Sequence, residues 1–326
     1  MRAVRVRRFG GPQMLVAEQV PDPAPGAGQV VVQMAAADVL FVDVMIRSGA
    51  GVNFFPIRPP YVPGNGVAGR VISAGKGVDP AWLGRQVVAH TGGSGGCDGY
   101  AEQAVVSTED LIPVPDGLGV REAAALLHDG ATAIGLLDGV GVKPGESVLV
   151  TAAAGGLGLL LVQLARAAGG RVIAAARGAR KLDLVRDAGA DTVVDYSEAG
   201  WTERVRAGTV SRGPDVVFDG AGGQLGTAAF TITAAGGRFS AHGVSAGTFA
   251  AIDRVEANRR GVTVHGIEKA SFAPADFRRL AALALSEAAA GRLRPYIRQT
   301  FPLDRAAEAH SAIEDRTAIG KTLLRP

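Results

Sequence analysis

The chain is poor in cysteine, histidine and aromatic residues. Of 326 residues, one is cysteine (Cys97), five are histidine and 5% are aromatic. A single cysteine excludes an internal disulfide and a four-cysteine metal lobe, and it suits a reducing compartment, the cytoplasm. Cys97 stands in a glycine-rich stretch with no cation beside it in sequence, so it reads as an inert thiol. The amino terminus lacks the apolar region and cleavage signature of a signal peptide. Charge of either sign is also in short supply. Thirty-four Lys and Arg stand against 31 Asp and Glu, a net charge of +3, with no basic stripe interleaved with aromatics. No nucleic-acid partner is expected, and the run Arg2 to Arg8 reads as a solvated strand face. Val148 to Ala165 is 18 residues without a charge, but Gly155, Gly156 and Gly158 interrupt it. It reads as a strand, a turn and a buried helix, and no membrane span is expected.

Glycine (46 residues) and apolar residues (47%) are abundant instead. Glycine has no period of three, so the composition suits a tightly packed α/β protein with enough chain for two cores. The first third reads as short strands punctuated by Gly and Pro: Met1–Arg8, Val30–Ala35, Gly64–Ser73 and Gln86–His90, with a flexible loop at 91–96. Such a pattern suggests a small barrel. Helical spacing appears at Arg121–Leu127 and Thr132–Val140. From Ser147 onward strands and helices alternate, which predicts a parallel sheet covered on both faces. Its strands are Ser147–Thr151, Arg171–Ala176, Thr192–Asp195, Val216–Asp219, Gly237–Ala241 and Val262–Ile267. The tail reads as helices near Pro274–Ala290 and Asp304–Glu314, with strands at Arg298–Pro302 and Lys321–Arg325. It is too short for its own core and is expected to complete the first domain.

The most informative stretch is Ala153-Ala154-Gly155-Gly156-Leu157-Gly158, between a Val-rich strand and an apolar helix. It fits G-x-G-x-x-G with Ala at the first glycine. In this context Gly155 lets backbone approach a pyrophosphate and Gly158 lets the helix pack on the strand. An acid at the end of the second strand would bind the ribose hydroxyls of NAD. Here that strand ends Ala174-Ala175-Ala176-Arg177-Gly178, with Arg180 and Lys181 following. Arg177 stands 19 residues after Gly158, where the acid is expected, and Arg pairs with a 2′-phosphate. The expected cofactor is NADPH.

At this point the chain resembles the zinc-independent quinone oxidoreductases of the medium-chain dehydrogenase/reductase superfamily. The glycine turn with Val162-Gln163-Leu164-Ala165 carries the likeness first. Val42-Asp43-Val44-Met45-Ile46-Arg47-Ser48-Gly49 resembles the family's early D-x-x-x-R-x-G segment, and Tyr61-Val62-Pro63-Gly64-Asn65-Gly66-Val67-Ala68-Gly69 its P-G-x-E-x-x-G stretch. Gly130-Ala131-Thr132-Ala133, Gly189-Ala190-Asp191 with Asp195-Tyr196, and Gly320-Lys321-Thr322-Leu323-Leu324 match further family motifs. The resemblance implies an α/β protein with a Rossmann parallel-sheet domain and a GroES-like β-barrel domain built from both chain ends. The corresponding ranges are 1–122 and 268–326 for the catalytic domain and 123–267 for the NADPH-binding domain. By matching position, Ala154, Gly155, Gly156, Leu157 and Gly158 hold the pyrophosphate, and Arg177, Lys181 and Tyr196 the adenosine phosphate. Gly130 and Thr132 approach the nicotinamide, His242 and Gly243 lie along the cofactor, and Lys321 is near it. The resemblance also implies a homodimer paired through Val262–Ile267.

The departures narrow the chemistry. Where zinc members carry Cys, and later Gly-His-Glu, this chain reads Ala36-Ala37-Asp38 and Gly64-Asn65-Gly66. No metal is expected, and without a Lewis acid the hydride is expected to pass to a quinone or an α,β-unsaturated carbonyl compound, a small-molecule electron acceptor. Quinone oxidoreductases often carry Asn where this chain has Leu40, and an aromatic where it has Gly49-Ala50-Gly51-Val52, so a more apolar acceptor pocket is expected. Reduction also needs a proton, for which Tyr61, Asp43 and His128 are the candidates by motif. Similar sequences reduce enoyl thioesters, which is one alternative, and a non-catalytic NADPH-binding protein is another. Gly243-Val244-Ser245-Ala246-Gly247 also matches G-x-S-x-G, with His265 and His310 downstream, so a serine hydrolase acting through Ser245 is the rival from another class.

Overall fold

A computed structural model describes residues 1–52, 55–92, 97–209 and 212–326. In chain order its strands and helices begin β1 (Arg2–Val6), β2 (Leu15–Gln19), β3 (Gln29–Asp38), α1 (Phe41–Ser48), β4 (Gly66–Ala74), β5 (Gln86–His90), β6 (Gln103–Ser107), β7 (Leu111–Pro113) and α2 (Val120–Val140). Next come β8 (Ser147–Thr151), α3 (Gly156–Ala167), β9 (Arg171–Ala176), α4 (Ala179–Asp187), β10 (Thr192–Asp195), α5 (Trp201–Ala207), β11 (Val216–Asp219) and α6 (Gly223–Ile232). The chain ends with β12 (Arg238–Ala241), α7 (Arg254–Arg260), β13 (Thr263–His265), α8 (Pro274–Ala289), β14 (Ile297–Pro302), α9 (Ala306–Glu314) and β15 (Lys321–Arg325). Two compact units result, one of Met1–His128 with Ala281–Pro326, the other of Asp129–Leu280.

The first unit is mostly antiparallel sheet. β3 is its centre, pairing with β4 on one side, with β15 near its end and with β6. The sheet order is β14-β15-β3-β4-β5-β7, with β14 and β15 parallel to each other. Leu323 lies opposite Asp38 and Leu324 opposite Ala37, so the last strand of the chain closes against an early one. The Val-rich strands bury Val30, Val32, Val67, Val71 and Val87 with Tyr100 and Leu324 in one core. Each such side chain removed from water contributes roughly 1.5–3 kcal/mol.

The second unit is a six-stranded parallel sheet of order β10-β9-β8-β11-β12-β13. Strand order reverses between β8 and β11, the switch point at which doubly wound sheets bind ligands. All five residues of β8 are buried, as a central strand covered on both faces requires. Leu149, Ile173, Val217, Phe230 and Phe239 form the core on one face, with the Phe230 and Phe239 rings edge to face at 5.6 Å.

The α/β architecture expected from alternation is present, with local corrections. The two helical stretches at Arg121–Leu127 and Thr132–Val140 are one helix, α2. Gly130 costs about 1 kcal/mol against Ala within a helix, but buried Leu126, Leu127, Ala131 and Ala133 flank it and hold the turn. The last strand of the parallel sheet is three residues, not Val262–Ile267. Beyond Gly266 the chain enters a 3-10 turn, in which Lys269 N–H donates to Gly266 O at 3.1 Å. Helices α1, α5, α6 and α7 fall where the sequence reading placed no element. Of the loop expected at 91–96, residues 93–96 lie outside the described residues. Among the described residues no helix is long and apolar enough to cross a membrane.

Candidate functional site

In the second unit the glycine turn joins β8 to α3 at the switch point. Ala152 takes a left-handed φ of 51°, and the chain then enters α3 through an extended Gly155. A Cβ on Gly155 would meet only Ala152 O, 3.6 Å away, so one side of the turn is open to an incoming group. A Cβ on Gly158 would lie 2.6 Å from Ala152 O and 2.7 Å from Ala153 Cα, so only glycine lets α3 pack on the turn. Helix N-terminal N–H groups and the helix dipole favour an anion at this place.

Across the switch point Asp219 ends β11, fully buried. Its Oδ1 accepts from Thr151 Oγ1 at 2.7 Å and from the N–H groups of Ala221 and Gly222, both at 3.1 Å. Burial raises this carboxyl above the usual range, against the three donors. Asp219 ties β8 to the loop after β11, a role the sequence reading missed because a strand-end acid carries no periodic signal. That loop meets the one after β12, where a Cβ on Gly243 would lie 2.1 Å from Gly220 O. His242 beside it is 8% exposed, and burial pushes its imidazole down to about 4, so it is neutral at physiological pH. Ser245 Oγ donates to the carbonyls of Gly220 at 3.1 Å and Ala221 at 3.3 Å. Those bonds pin the loop and leave the nucleophile reading of Ser245 without a hydrogen-bonded base.

Arg177 follows β9 and is exposed, and Lys181 lies in the first turn of α4. Tyr196 follows β10, its ring 6.5 Å from Trp201 in an edge-on contact. Asp195 accepts from Gly178 N–H at 2.8 Å and from Ser197 N–H at 2.8 Å. Burial pushes its carboxyl up, but Ser197, Gly178 and the Arg177 charge outweigh burial and hold it below the ordinary range. Its charge is therefore engaged in shaping the start of α4. Gly130 and Thr132 sit in the middle of α2 in the same unit.

The first unit holds the other candidates. Asp38 ends β3 at 1% exposure, and its Oδ2 lies 3.0 Å from His128 Nδ1 and 3.2 Å from Lys321 Nζ. Its Oδ1 has no partner. Burial disfavours the carboxylate, yet the charges of His128 and Lys321 prevail and hold the group well below the usual range. His128 Nε2 is 3.2 Å from His90 Nδ1. A Cβ on Gly66 would lie 2.5 Å from Leu127 Cδ2 and 2.8 Å from His128 Cε1, so glycine makes the room this imidazole occupies. Lys321, expected beside a cofactor, is 4% exposed against Asp38.

Asp43 is buried nearby and accepts three bonds: from Leu40 N–H at 2.8 Å, Asn65 Nδ2 at 3.0 Å and Tyr100 OH at 3.1 Å. Burial nevertheless pushes its carboxyl up to about 7, the Asp38 charge adding to the effect. These bonds cap α1 and anchor β4, which is structural work. The Tyr61 hydroxyl is buried without a partner, and burial and Asp43 push it further up, away from ionisation. Of the three proton-donor candidates, His128 alone is held by both ring nitrogens. His90, Asp38 and Lys321 were missed as its companions, because only the sheet brings residues 38, 90, 128 and 321 together. Burial and Asp98 push the Cys97 thiol up to about 11, which disfavours its thiolate.

A parallel six-stranded sheet with a glycine turn at its switch point, in a chain whose other unit is built from both chain ends, defines a two-domain dehydrogenase/reductase. The family described as alcohol dehydrogenase GroES-like domain matches residues 26–116, and that described as zinc-binding dehydrogenase matches residues 156–286. Quinone oxidoreductase of Rattus norvegicus is 32% identical over 99% of this chain and 97% of its own length. The 2-haloacrylate reductase of a Burkholderia species is 31% identical over 99% of this chain and 98% of its own length. The crystal structure of Escherichia coli quinone oxidoreductase complexed with NADPH superposes with a TM-score of 0.91 at 26% identity, covering 100% of both chains. The chain belongs to the zinc-independent quinone oxidoreductases of the medium-chain dehydrogenase/reductase superfamily, and it is an oxidoreductase.

The zinc implied by one family description does not fit this chain's donors. Both ring nitrogens of His128 are engaged by Asp38 and His90, the Asn65 amide donates to Asp43, and residue 66 is glycine. Among the described residues no group of three or more His, Cys, Asp or Glu is arranged to hold a metal.

Proposed function

We propose that this chain is an NADPH-dependent reductase of quinones and α,β-unsaturated carbonyl compounds, with the second unit holding the cofactor. The observation that carries the reading is the open glycine turn at the start of α3, on the switch point of the parallel sheet. Ala154, Gly155, Gly156, Leu157 and Gly158 suit the pyrophosphate, because bare backbone and a helix N-terminus face it there. Arg177, Lys181 and Tyr196 suit the adenosine 2′-phosphate, which Arg pairs in a forked geometry. Gly130 and Thr132 suit the nicotinamide end, and neutral His242 with Gly243 the length of the cofactor. When bound, NADPH supplies a hydride.

Titrating the protein with NADPH and NADH, then following NADPH oxidation with quinones, enones and enoyl thioesters in parallel, tests the reading. Tighter binding of NADPH, with turnover of quinones or enones, is expected. Turnover confined to enoyl thioesters redirects the acceptor assignment, and NADPH binding without turnover on any acceptor overturns the catalytic reading. A homodimer accompanies this reading, since β13 is the edge strand of its sheet and offers unpaired backbone to a second copy. So does a cytoplasmic location, which the single cysteine suits.

A further inference from the structure

In the sequence, the second strand of the parallel sheet ends without an acid, and Arg177 stands where one is expected. The fold brings an acid to the same turn from the next strand. Asp195 ends β10, which pairs with β9 in a parallel register that sets Asp195 beside Ala176. Its Oδ2 accepts from Gly178 N–H at 2.8 Å, and Gly178 stands between Arg177 and the start of α4. Its Oδ1 accepts from Ser197 N–H at 2.8 Å and from Ser197 Oγ at 2.5 Å. Gly178 has a φ of 79°, which favours glycine. The bend that carries the chain from Arg177 into α4 is therefore fixed by a glycine and a carboxylate together. Burial opposes the charge of Asp195, but Ser197, Gly178 and Arg177 outweigh it, so the group is ionised at neutral pH.

We propose that Asp195 is a specificity-determining residue, whose carboxylate limits the preference for NADPH over NADH by opposing a 2′-phosphate at the Arg177 turn. The assignment rests on the reading of Arg177, Lys181 and Tyr196 as the 2′-phosphate site. A phosphate monoester carries close to two negative charges at neutral pH, whereas NADH presents a neutral hydroxyl at the same place. One fixed negative charge therefore acts on the two nucleotides unequally. It repels the phosphate and offsets part of the attraction of Arg177, and it leaves the hydroxyl almost untouched. Asp195 is half-buried, so solvent screens it only in part. Arg180 and Lys181 add positive charge in the first turn of α4. Arg204 on α5 donates to Asp195 O at 3.0 Å and lies 3.4 Å from Glu198, which balances it. Asp195 is thus the acid tied to the Arg177 turn itself. What it contributes there is geometry, because its two oxygens accept from residues 178 and 197 and join the turns after β9 and β10. A neutral amide has one oxygen and could hold only one of them.

Isothermal titration of NADPH and NADH into the wild type, Asp195→Asn, Asp195→Ser and Arg177→Ala tests the assignment. The readout is the Kd for NADH divided by the Kd for NADPH. Damage to the turn weakens both nucleotides, which share the adenosine, and cancels in this ratio. Both Asp195 variants are expected to raise the ratio about 5-fold, the scale on which one partly screened charge acts. Arg177→Ala should lower it. At a salt concentration of about 1 M, where the screening length falls to ~3 Å, the gain in the Asp195 variants should shrink towards none. An unchanged or lowered ratio in both Asp195 variants, with a lowered one in Arg177→Ala, overturns the assignment and leaves the role of Arg177 standing. A raised ratio that persists in full at high salt comes from altered geometry and also overturns it. Equal loss of both nucleotides in Arg177→Ala fails the phosphate reading of the turn, and the assignment of Asp195 with it.

Discussion

The hydroxyl of Tyr100 lies 3.1 Å from Nε2 of His310, a contact between residues 210 apart in the chain. Because that hydroxyl donates to Asp43, its oxygen is left to accept, so His310 carries its hydrogen on Nε2. The contact fastens α9, from the carboxyl-terminal part of the chain, to the network that caps α1. His310 Nδ1 is buried without a partner.

Burial, with Arg47 nearby, pushes the His310 imidazole from 6.5 down to about 3. Between those values the unfolded chain binds a proton that the folded one refuses, so stability falls as pH falls through this window. Asp43, raised to about 7, opposes the effect above the ordinary carboxylate value. His310→Gln keeps a donor for Tyr100 and removes the titration. Denaturant unfolding between pH 7 and pH 4 should show the wild type losing up to about 1.4 kcal/mol per pH unit more than the variant. Parallel curves would exclude His310 as the source.

Gly158→Ala places a Cβ 2.6 Å from a backbone oxygen. The helix must move off the turn, at a cost of about 1–3 kcal/mol. NADPH affinity, read by fluorescence titration, should fall with it. Gly155→Ala, whose Cβ has room, should fold like the wild type and lose affinity alone.

Arg177→Ala should weaken NADPH binding about 10-fold or more, as loss of a charge-assisted pair does. NADH, which has no 2′-phosphate, should be almost unaffected. Isothermal titration with both nucleotides measures the ratio, and an equal loss for both would remove Arg177 from phosphate recognition.

Arg47 is fully buried, with Nη1 donating to Gly10 O at 2.6 Å and Nη2 to Glu314. Deleting a large, fully buried side chain typically costs about 2–5 kcal/mol through the packing lost and the cavity left. Arg47→Ala should therefore lower the midpoint of thermal unfolding sharply. Glu314→Gln, at a partner that is 33% exposed, should lower it less.

Much of the second unit was legible because its signals are local. Ser147–Thr151 is an uninterrupted apolar strand, and Gly155 and Gly158 mark a turn whose geometry demands glycine, so strand, turn and helix stand where spacing predicts. The helix α6, Gly223–Ile232, was invisible because its glycines and threonines have weak helix propensity, and packing of Ala229 and Phe230 holds it instead. At the site, the motif pointed to Asp43, Tyr61 and His128 as equals. Their separate fates depend on neighbours that no motif contains: three donors around Asp43, none at Tyr61, and Asp38 and His90 on either side of His128.

By itself, the sequence determined the α/β architecture, the cofactor turn and the basic residues after β9, because periodicity, glycine and local charge act over a few residues. Only the tertiary structure decided which ionisable groups meet. Asp38, His90, His128 and Lys321 stand on four different elements, and strand pairing between β15 and β3 brings the last of them to the first. Contacts of that kind depend on register across a sheet, and a one-residue slip of β15 would turn Lys321 to the opposite face, away from Asp38.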